Sequence, residues 1–325
     1  MAIIGIFPAS GALGTSTYTH LLKLVPGNEV ILINRYPEKI PQSHISAGVK
    51  VRKASFENSP SELQAAFSGI DTLFLISYPS HVHDYRTKVH LPAVDAAKAA
   101  GVKHIFYASL GFGGDYKKSS RAEVMQAHLD TERYLAKLAS EDPSFTYTVI
   151  REGLYAESTP IYTAFFVPSE PVSEDNGVIQ IPHDGSGPGV AWVKRDELGE
   201  ASARLIAGFH IAAAAGENDQ KRWEYVNKTV LLTGPKVWSL AETVAVLSQI
   251  AGREVKIKQV SVDEYVKLPK VLDKFGKEEL ARTWATAWDA IRDGETAVVT
   301  GELEKILGRE LEAFDVAARK HFGRE

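Results

Sequence analysis

Residues 2–35 read AIIGIFPASGALGTSTYTHLLKLVPGNEVILINR, and this stretch decides the fold. Residues 2–7 are an apolar run stopped by Pro8, a predicted strand, and residues 15–24 carry helical spacing. Residues 29–34 are apolar on both faces, as expected of a strand covered by helices above and below. Strand, glycine-bearing turn, helix and strand make a βαβ unit. The rhythm continues with predicted strands at 49–53, 72–77, 103–109 and 146–151 and predicted helices at 61–67, 90–100 and 122–140. Six strands with crossovers after most of them predict an α/β protein, a doubly wound parallel sheet of Rossmann-like type, over residues 1–152.

Beyond Arg151 the rhythm loosens. Residues 160–189 are rich in Pro, Gly, Ser and aromatic side chains, a composition for irregular structure over a pocket mouth. A helix is expected at 196–208, a strand at 229–233, and a helix at 239–251 with Ser239 and Glu242 forming a capping box. A strand candidate at 254–260 and a helical tail follow. Residues 153–325 therefore read as a smaller C-terminal substrate lobe, interleaved with the sheet through late strands.

With 37 Lys and Arg against 41 Asp and Glu the formal charge is -4, which argues against a polyanion-binding surface and removes nucleic acid as the main partner. The absence of cysteine among 325 residues excludes disulfides, thiolate metal sites and cysteine nucleophiles. The histidines show no zinc spacing, so no metal is expected. The first apolar run is broken at Gly5 and Pro8, too early for a secretory core, and no apolar stretch approaches the roughly 18 residues of a membrane helix. The expectation is a cytoplasmic protein with no membrane partner; monomer and homodimer both stay open.

The turn FPASGALG (residues 7–14) joins a predicted strand to a predicted helix, the context in which a glycine pattern points to phosphate binding. Gly11 would let the backbone approach a pyrophosphate and Gly14 would let the helix pack on the strand. Pro8 stands at the usual first glycine, so the turn must differ from the common one. About twenty residues later come Asn34 and Arg35 in place of the acid that bonds a ribose hydroxyl in an NAD site. A guanidinium there suits a 2′-phosphate, which points to NADP(H). A βα turn without ligand and a solvated loop arginine are the plainer alternatives.

Further blocks join this turn: VDAAKAAGVKHIFYASLG (94–111), AHLDTERYLA (127–136), TYTVIREGLYAES (146–158), GPGVAWVKRDELGEASARLI (187–206) and LTGPKVWSLAETVAVLSQIAGREV (232–255). On these residues the chain resembles the NmrA-like atypical short-chain dehydrogenase/reductases, in the branch of NADPH-dependent quinone oxidoreductases and triphenylmethane reductases. The resemblance implies dinucleotide contacts from Gly11, Gly14, Asn34, Arg35, Ser77, Tyr78, Ser109 and Leu110. It implies a substrate pocket walled by Tyr78, Phe112, His128, Tyr155 and Trp192, to which Phe165 and Phe166 are added from the aromatic segment. Three positions depart from the family: Pro8, the pair Ala54 and Ser55 where an adenine-contacting aspartate is usual, and Glu152 where relatives carry an asparagine.

None of the twelve tyrosines has a lysine four positions on, so the proton relay of typical short-chain dehydrogenases is missing. His128, on the inward stripe with Val124, Thr131, Leu135 and Leu138, is a candidate acid or a structural histidine, with Glu132 one turn later to orient it. Glu152, at the rim of the sixth strand, is a candidate acid or base, or else a partner of Arg151. Tyr155 completes the catalytic candidates. The leading reading is an NADP(H)-dependent oxidoreductase of a planar aromatic or quinonoid molecule. One rival is a cofactor-independent isomerase using Glu152 and His128 as acid and base; the other is a non-catalytic NADP-sensing regulator.

Overall fold

A computed structural model describes residues 2–80, 82–170 and 177–323. Nine strands are present among them: β1 Ile4–Phe7, β2 Val30–Asn34, β3 Lys50–Lys53, β4 Thr72–Ile76, β5 His104–Leu110, β6 Thr146–Glu152, β7 Val178–Ile181, β8 Lys228–Leu232 and β9 Lys256–Gln259. Seven form one sheet in the order β3-β2-β1-β4-β5-β6-β8, every pair parallel. The seventh strand comes from the C-terminal half, with Thr148 opposite Lys228 and Glu152 opposite Leu232. β7 and β9 make a separate parallel pair.

The central strands β1, β2 and β5 are buried almost end to end because helices cover both faces of the sheet. In the first half the helices are α1 Ala12–Leu21, α2 Gln42–Ser46, α3 Pro60–Phe67, α4 His83–Ala99 and α5 Glu123–Glu141. The second half adds α6 Thr159–Tyr162, α7 Arg195–Ala215, α8 Glu217–Arg222, α9 Leu240–Ala251, α10 Val262–Tyr265, α11 Pro269–Phe275, α12 Glu278–Arg292, α13 Glu302–Leu307 and α14 Phe314–Phe322. The capping box at Ser239 and Glu242 is present. α4 begins two turns before the expected start at residue 90. Its first turns, HDYRTK, are polar and show no apolar stripe, and Pro92, which sequence habit places at a helix start, lies inside it.

α1 and α7 pack together over one face, where Leu21, Phe106, Ile150, Leu205 and Phe209 share a cluster. α3, α4 and α5 cover the other face, around Phe67, Leu75, Val94, Tyr107 and Leu135. A third cluster, built on Trp192, Trp284, Trp288, Tyr162 and Phe314, also takes in Phe112, Met125 and Leu129 of the first half. Of the aromatic segment 160–189, residues 171–176 lie outside the described residues. A side chain from the far end of the chain ties down the loop after β5: Glu295 accepts hydrogen bonds from the Gly113 and Arg121 amides and the Ser120 hydroxyl. The strand order reverses between β1 and β4, which places the crevice of a doubly wound sheet at their C-terminal ends.

Candidate active site

Two glycines shape the turn between β1 and α1, which begins with a cis bond between Phe7 and Pro8. Gly11, the N-cap of α1, has φ 89°, a conformation that costs other residues energy. A Cβ on Gly14 would lie 2.8 Å from the Pro8 carbonyl oxygen and 2.9 Å from that of Ala9. The helix therefore sits directly against the backbone of the turn, with its first N–H groups at the crevice.

Beside it, at the end of β2, Asn34 is 1% exposed, and neither its Oδ1 nor its Nδ2 has a protein partner. Arg35 turns outward. Its guanidinium is half exposed and donates from Nη2 to both carboxylate oxygens of Glu57, each at 3.0 Å. A cavity of about 220 Å³ opens here, lined among others by Phe7, Ser10, Arg35, Phe56 and Tyr78. Ala54 and Ser55 line it too, without a carboxylate of their own.

After β4, the Tyr78 amide donates to His90 Nε2 at 2.9 Å, so that nitrogen is the unprotonated one. His90 is buried beside Arg86, and burial with that charge pushes its pKa down to about 3. Arg86, 3% exposed, has no carboxylate partner among the described residues; it donates to the Ser77 hydroxyl, to the Val124 carbonyl at 2.8 Å and to His128 Nε2 at 2.6 Å. Because an arginine only donates, His128 must keep its proton on Nδ1, which meets the Tyr107 hydroxyl at 3.1 Å. Burial, then the Arg86 charge, holds His128 well below the ordinary histidine range. A neutral imidazole whose free lone pair is taken cannot act as an imidazolium acid, and His128 is only 5% exposed.

One turn on, Glu132 does not orient His128. It accepts from the Ser109 hydroxyl at 2.6 Å and from Arg151 Nε and Nη2 at 3.0 and 2.7 Å. Glu152, next along β6, consequently faces the opposite side of the sheet. It does not pair with Arg151; its Oε1 accepts from Ser202 of α7 at 3.1 Å and its Oε2 has no partner. Burial pushes its carboxyl up to about 8. His128 and Glu152 thus lie on opposite faces of the sheet, and the acid–base pair of the isomerase reading does not assemble.

Tyr155 sits near Glu152, partly buried, with the Arg195 guanidinium 5.6 Å from its ring; burial and the Glu152 carboxylate raise its phenol well above the ordinary value. Leu110 is partly buried and packs against the cluster around Trp192 and Trp284. Phe112 and Trp192 are fully buried core residues, with no surface to offer a ligand, and Trp192 Nε1 donates to Thr243 at 2.9 Å. Phe166 is also core, whereas Phe165 is partly buried against Phe275. The family resemblance puts Phe112 and Trp192 in the pocket wall; in this chain both side chains fill the core instead. Arg86, His90, Tyr107, Glu57 and Phe56 were not anticipated; they lie on α4, β5 and the β3–α3 loop, and only folding brings them together. Among the described residues no cluster of metal-ligating side chains occurs and no helix is long and apolar enough to cross a membrane.

Residues 2–293 match the NmrA-like family. The chain is 30% identical to an NmrA-like family domain-containing oxidoreductase of Aspergillus flavus, over 93% of this chain and 89% of that one. The structure is similar to the Citrobacter sp. triphenylmethane reductase complexed with NADP(H), with TM-score 0.74, 27% identity and coverage of 98% and 99% of the two chains. It is likewise similar to the NADPH-dependent quinone oxidoreductase of Escherichia coli complexed with NADPH, with TM-score 0.76, 26% identity and coverage of 99% and 100%. A doubly wound sheet with a glycine turn at its switch point, matched along nine-tenths of its length, places this chain in the NmrA-like family.

Proposed function

We propose that this protein is an NADP(H)-dependent oxidoreductase that reduces a planar aromatic or quinonoid small molecule. The carrying observation is the cleft at the ends of β1 and β2, where Asn34 buries an unpartnered amide next to the exposed Arg35 guanidinium and the N-terminus of α1. A buried amide with no partner costs stability unless a ligand's polar groups meet it. A guanidinium fork matches a 2′-phosphate, and a helix N-terminus suits a pyrophosphate. The two reductases of similar structure are complexed with this cofactor. Gly11, Gly14, Asn34, Arg35, Ser77, Tyr78, Ser109 and Leu110 would hold it.

When bound, the cofactor supplies the hydride, and the chain's work is to position it and keep water out. Tyr78, Tyr155 and Phe165 keep part of their ring surface exposed and would receive a flat apolar substrate. Quinones and cationic dyes suit a site without a Tyr–Lys relay, because their reduction gives a stabilised phenolate or a neutral product with little proton donation. Ser77 and the Tyr78 amide are held by Arg86 and His90, so the floor of the cleft is rigid.

The test is fluorescence titration with NADPH followed by a quinone panel. The expected outcome is saturable binding and quinone-dependent NADPH oxidation. Tight binding without turnover on any acceptor would favour the sensing role, and no binding would overturn the reading.

A further inference from the structure

We propose that Glu57 is a built-in competitor for the cofactor's 2′-phosphate, set against Arg35, so that this carboxylate rather than the arginine alone fixes how strongly NADPH is preferred over NADH. The inference rests on the reading of Arg35 as the phosphate ligand and adds a residue outside the strand-end motifs. Glu57 stands on the loop between β3 and α3, two residues beyond Ser55. Both of its oxygens are bonded to a single nitrogen of Arg35. The other edge of the guanidinium is not consumed by Glu57, so the arginine keeps donors for a second anion, which would then share the cation with a carboxylate.

The surroundings keep Glu57 charged. Burial raises its carboxyl, but bonding from Tyr78 and the Arg35 charge outweigh that, and the net direction is downward. The nearby Glu57 carboxylate and burial push the Tyr78 phenol up to about 12, so Tyr78 keeps its proton. Arg35 just after β2 and Tyr78 after β4 line the 220 Å³ cavity, and Glu57 from the β3–α3 loop stands behind them, bonded to the Arg35 guanidinium. A phosphate entering there meets one cation already neutralised and one fixed negative charge. NADH, which lacks the phosphate, meets neither effect.

The experiment compares Kd values for NADPH, NADH, 2′,5′-ADP and 5′-AMP in the wild type, Glu57→Gln, Arg35→Ala and Tyr78→Phe, by calorimetry at low and high salt with thermal melts as the folding control. Exposed pairs of this kind are worth little each, so Glu57→Gln should tighten NADPH and 2′,5′-ADP by roughly three- to tenfold at about 50 mM salt, leaving NADH and 5′-AMP within about twofold. The gain should shrink at about 0.5 M salt. Tyr78→Phe, which removes a hydroxyl near Glu57, should leave the phosphate preference unchanged or lower it. If Glu57→Gln leaves NADPH unmoved or weakens it while Arg35→Ala still costs NADPH selectively, Glu57 merely orients the arginine and the competitor role is overturned, with the phosphate site intact. If Arg35→Ala weakens both dinucleotides equally, the phosphate reading itself fails, and this proposal with it.

Discussion

Arg151 and Glu152 are neighbours on β6, yet the two faces of the sheet treat their charges in opposite ways. Arg151, 2% exposed, meets the carboxylate of Glu132 through two nitrogens, and a third bond runs to the Lys117 carbonyl at 2.9 Å. Glu152, equally buried, has a serine hydroxyl for one oxygen and nothing for the other. An arginine cannot shed its proton, so a fold that buries one must bring donors' partners to it. A carboxylate can take up a proton and become neutral, so a fold can bury one with far less. On one face, then, charge organises the side chains around it, and on the other the side chain adapts to its surroundings. Arg86 follows the first pattern without any carboxylate, and the consequence is the neutral His128.

Breaking the paired side should have the largest effect. Glu132→Ala strips the counterion from a buried guanidinium and also leaves Ser109 without its acceptor, so the loss in unfolding free energy should be about 3–5 kcal/mol, read by urea denaturation. Glu132→Gln, which keeps the shape and one acceptor oxygen, should lose less. Equal stability of wild type and Glu132→Ala would mean that the pair contributes nothing.

The unpaired side gives the opposite sign. The folded carboxyl of Glu152 titrates near 8 against an ordinary 4.5, so its contribution to stability is fully present below about pH 4.5 and is lost as pH rises toward 8. His90 and His104, both pushed down to about 3 chiefly by burial, work the other way and contribute stability above about pH 6.5 that is lost on acidification. Stability should therefore peak slightly below neutrality. Glu152→Gln should remove the alkaline decline and add on the order of 4 kcal/mol at pH 7.5, while changing little at pH 4.5. A decline that persists in the variant assigns it to another group.

The exposed pair at Arg35 and Glu57 sharpens the contrast, because solvent screens it. Arg35→Ala should leave unfolding free energy within about 0.5 kcal/mol. The same change should weaken NADPH by roughly 1.5–3 kcal/mol and spare NADH, since only the phosphate gains charge-assisted hydrogen bonds from it. Comparable losses for both cofactors would remove Arg35 from the site.

Much of this was legible in the sequence, and the part that was not has a common cause. Strand positions came from apolar runs such as VILIN, where burial on both faces leaves no room for polar residues, and the Ser239–Glu242 box marked a helix start by local chemistry. Gly11 and Gly14 were readable because their constraints arise within the turn. The partners of Arg151, Glu152 and His128 were not readable. Which face of a strand carries a charge follows from alternation, but what waits there is set by α5 or α7, some 20 and 50 residues away along the chain. The phase of residues 107, 109 and 151 against 152 could have told that His128 and Glu152 face apart, once β5 and β6 were known to pair with Ser109 opposite Arg151.

The smallest effect is expected at His128, and it tests the claim that charge on the Arg151 face has already been arranged. If His128 were the proton donor of the reaction, His128→Gln would delete a titrating group and cost roughly 10²–10⁴-fold, with loss of a limb in the pH–rate profile near the histidine range. In the structure its Nε2 accepts from Arg86 and the one proton, on Nδ1, faces Tyr107, so the ring stays neutral and has no imidazolium proton to give across the working pH range. A glutamine can supply one acceptor and one donor in the same cavity. The expected outcome is therefore a pH profile unchanged in shape between about pH 5.5 and 8, with kcat lowered less than about tenfold through small shifts of Arg86 and Ser77. Steady-state kinetics with NADPH and a quinone, at matched folded fraction, checks it. A vanished acid limb with unchanged NADPH affinity would restore His128 to the chemistry, and it would require Arg86 to leave its nitrogen during turnover.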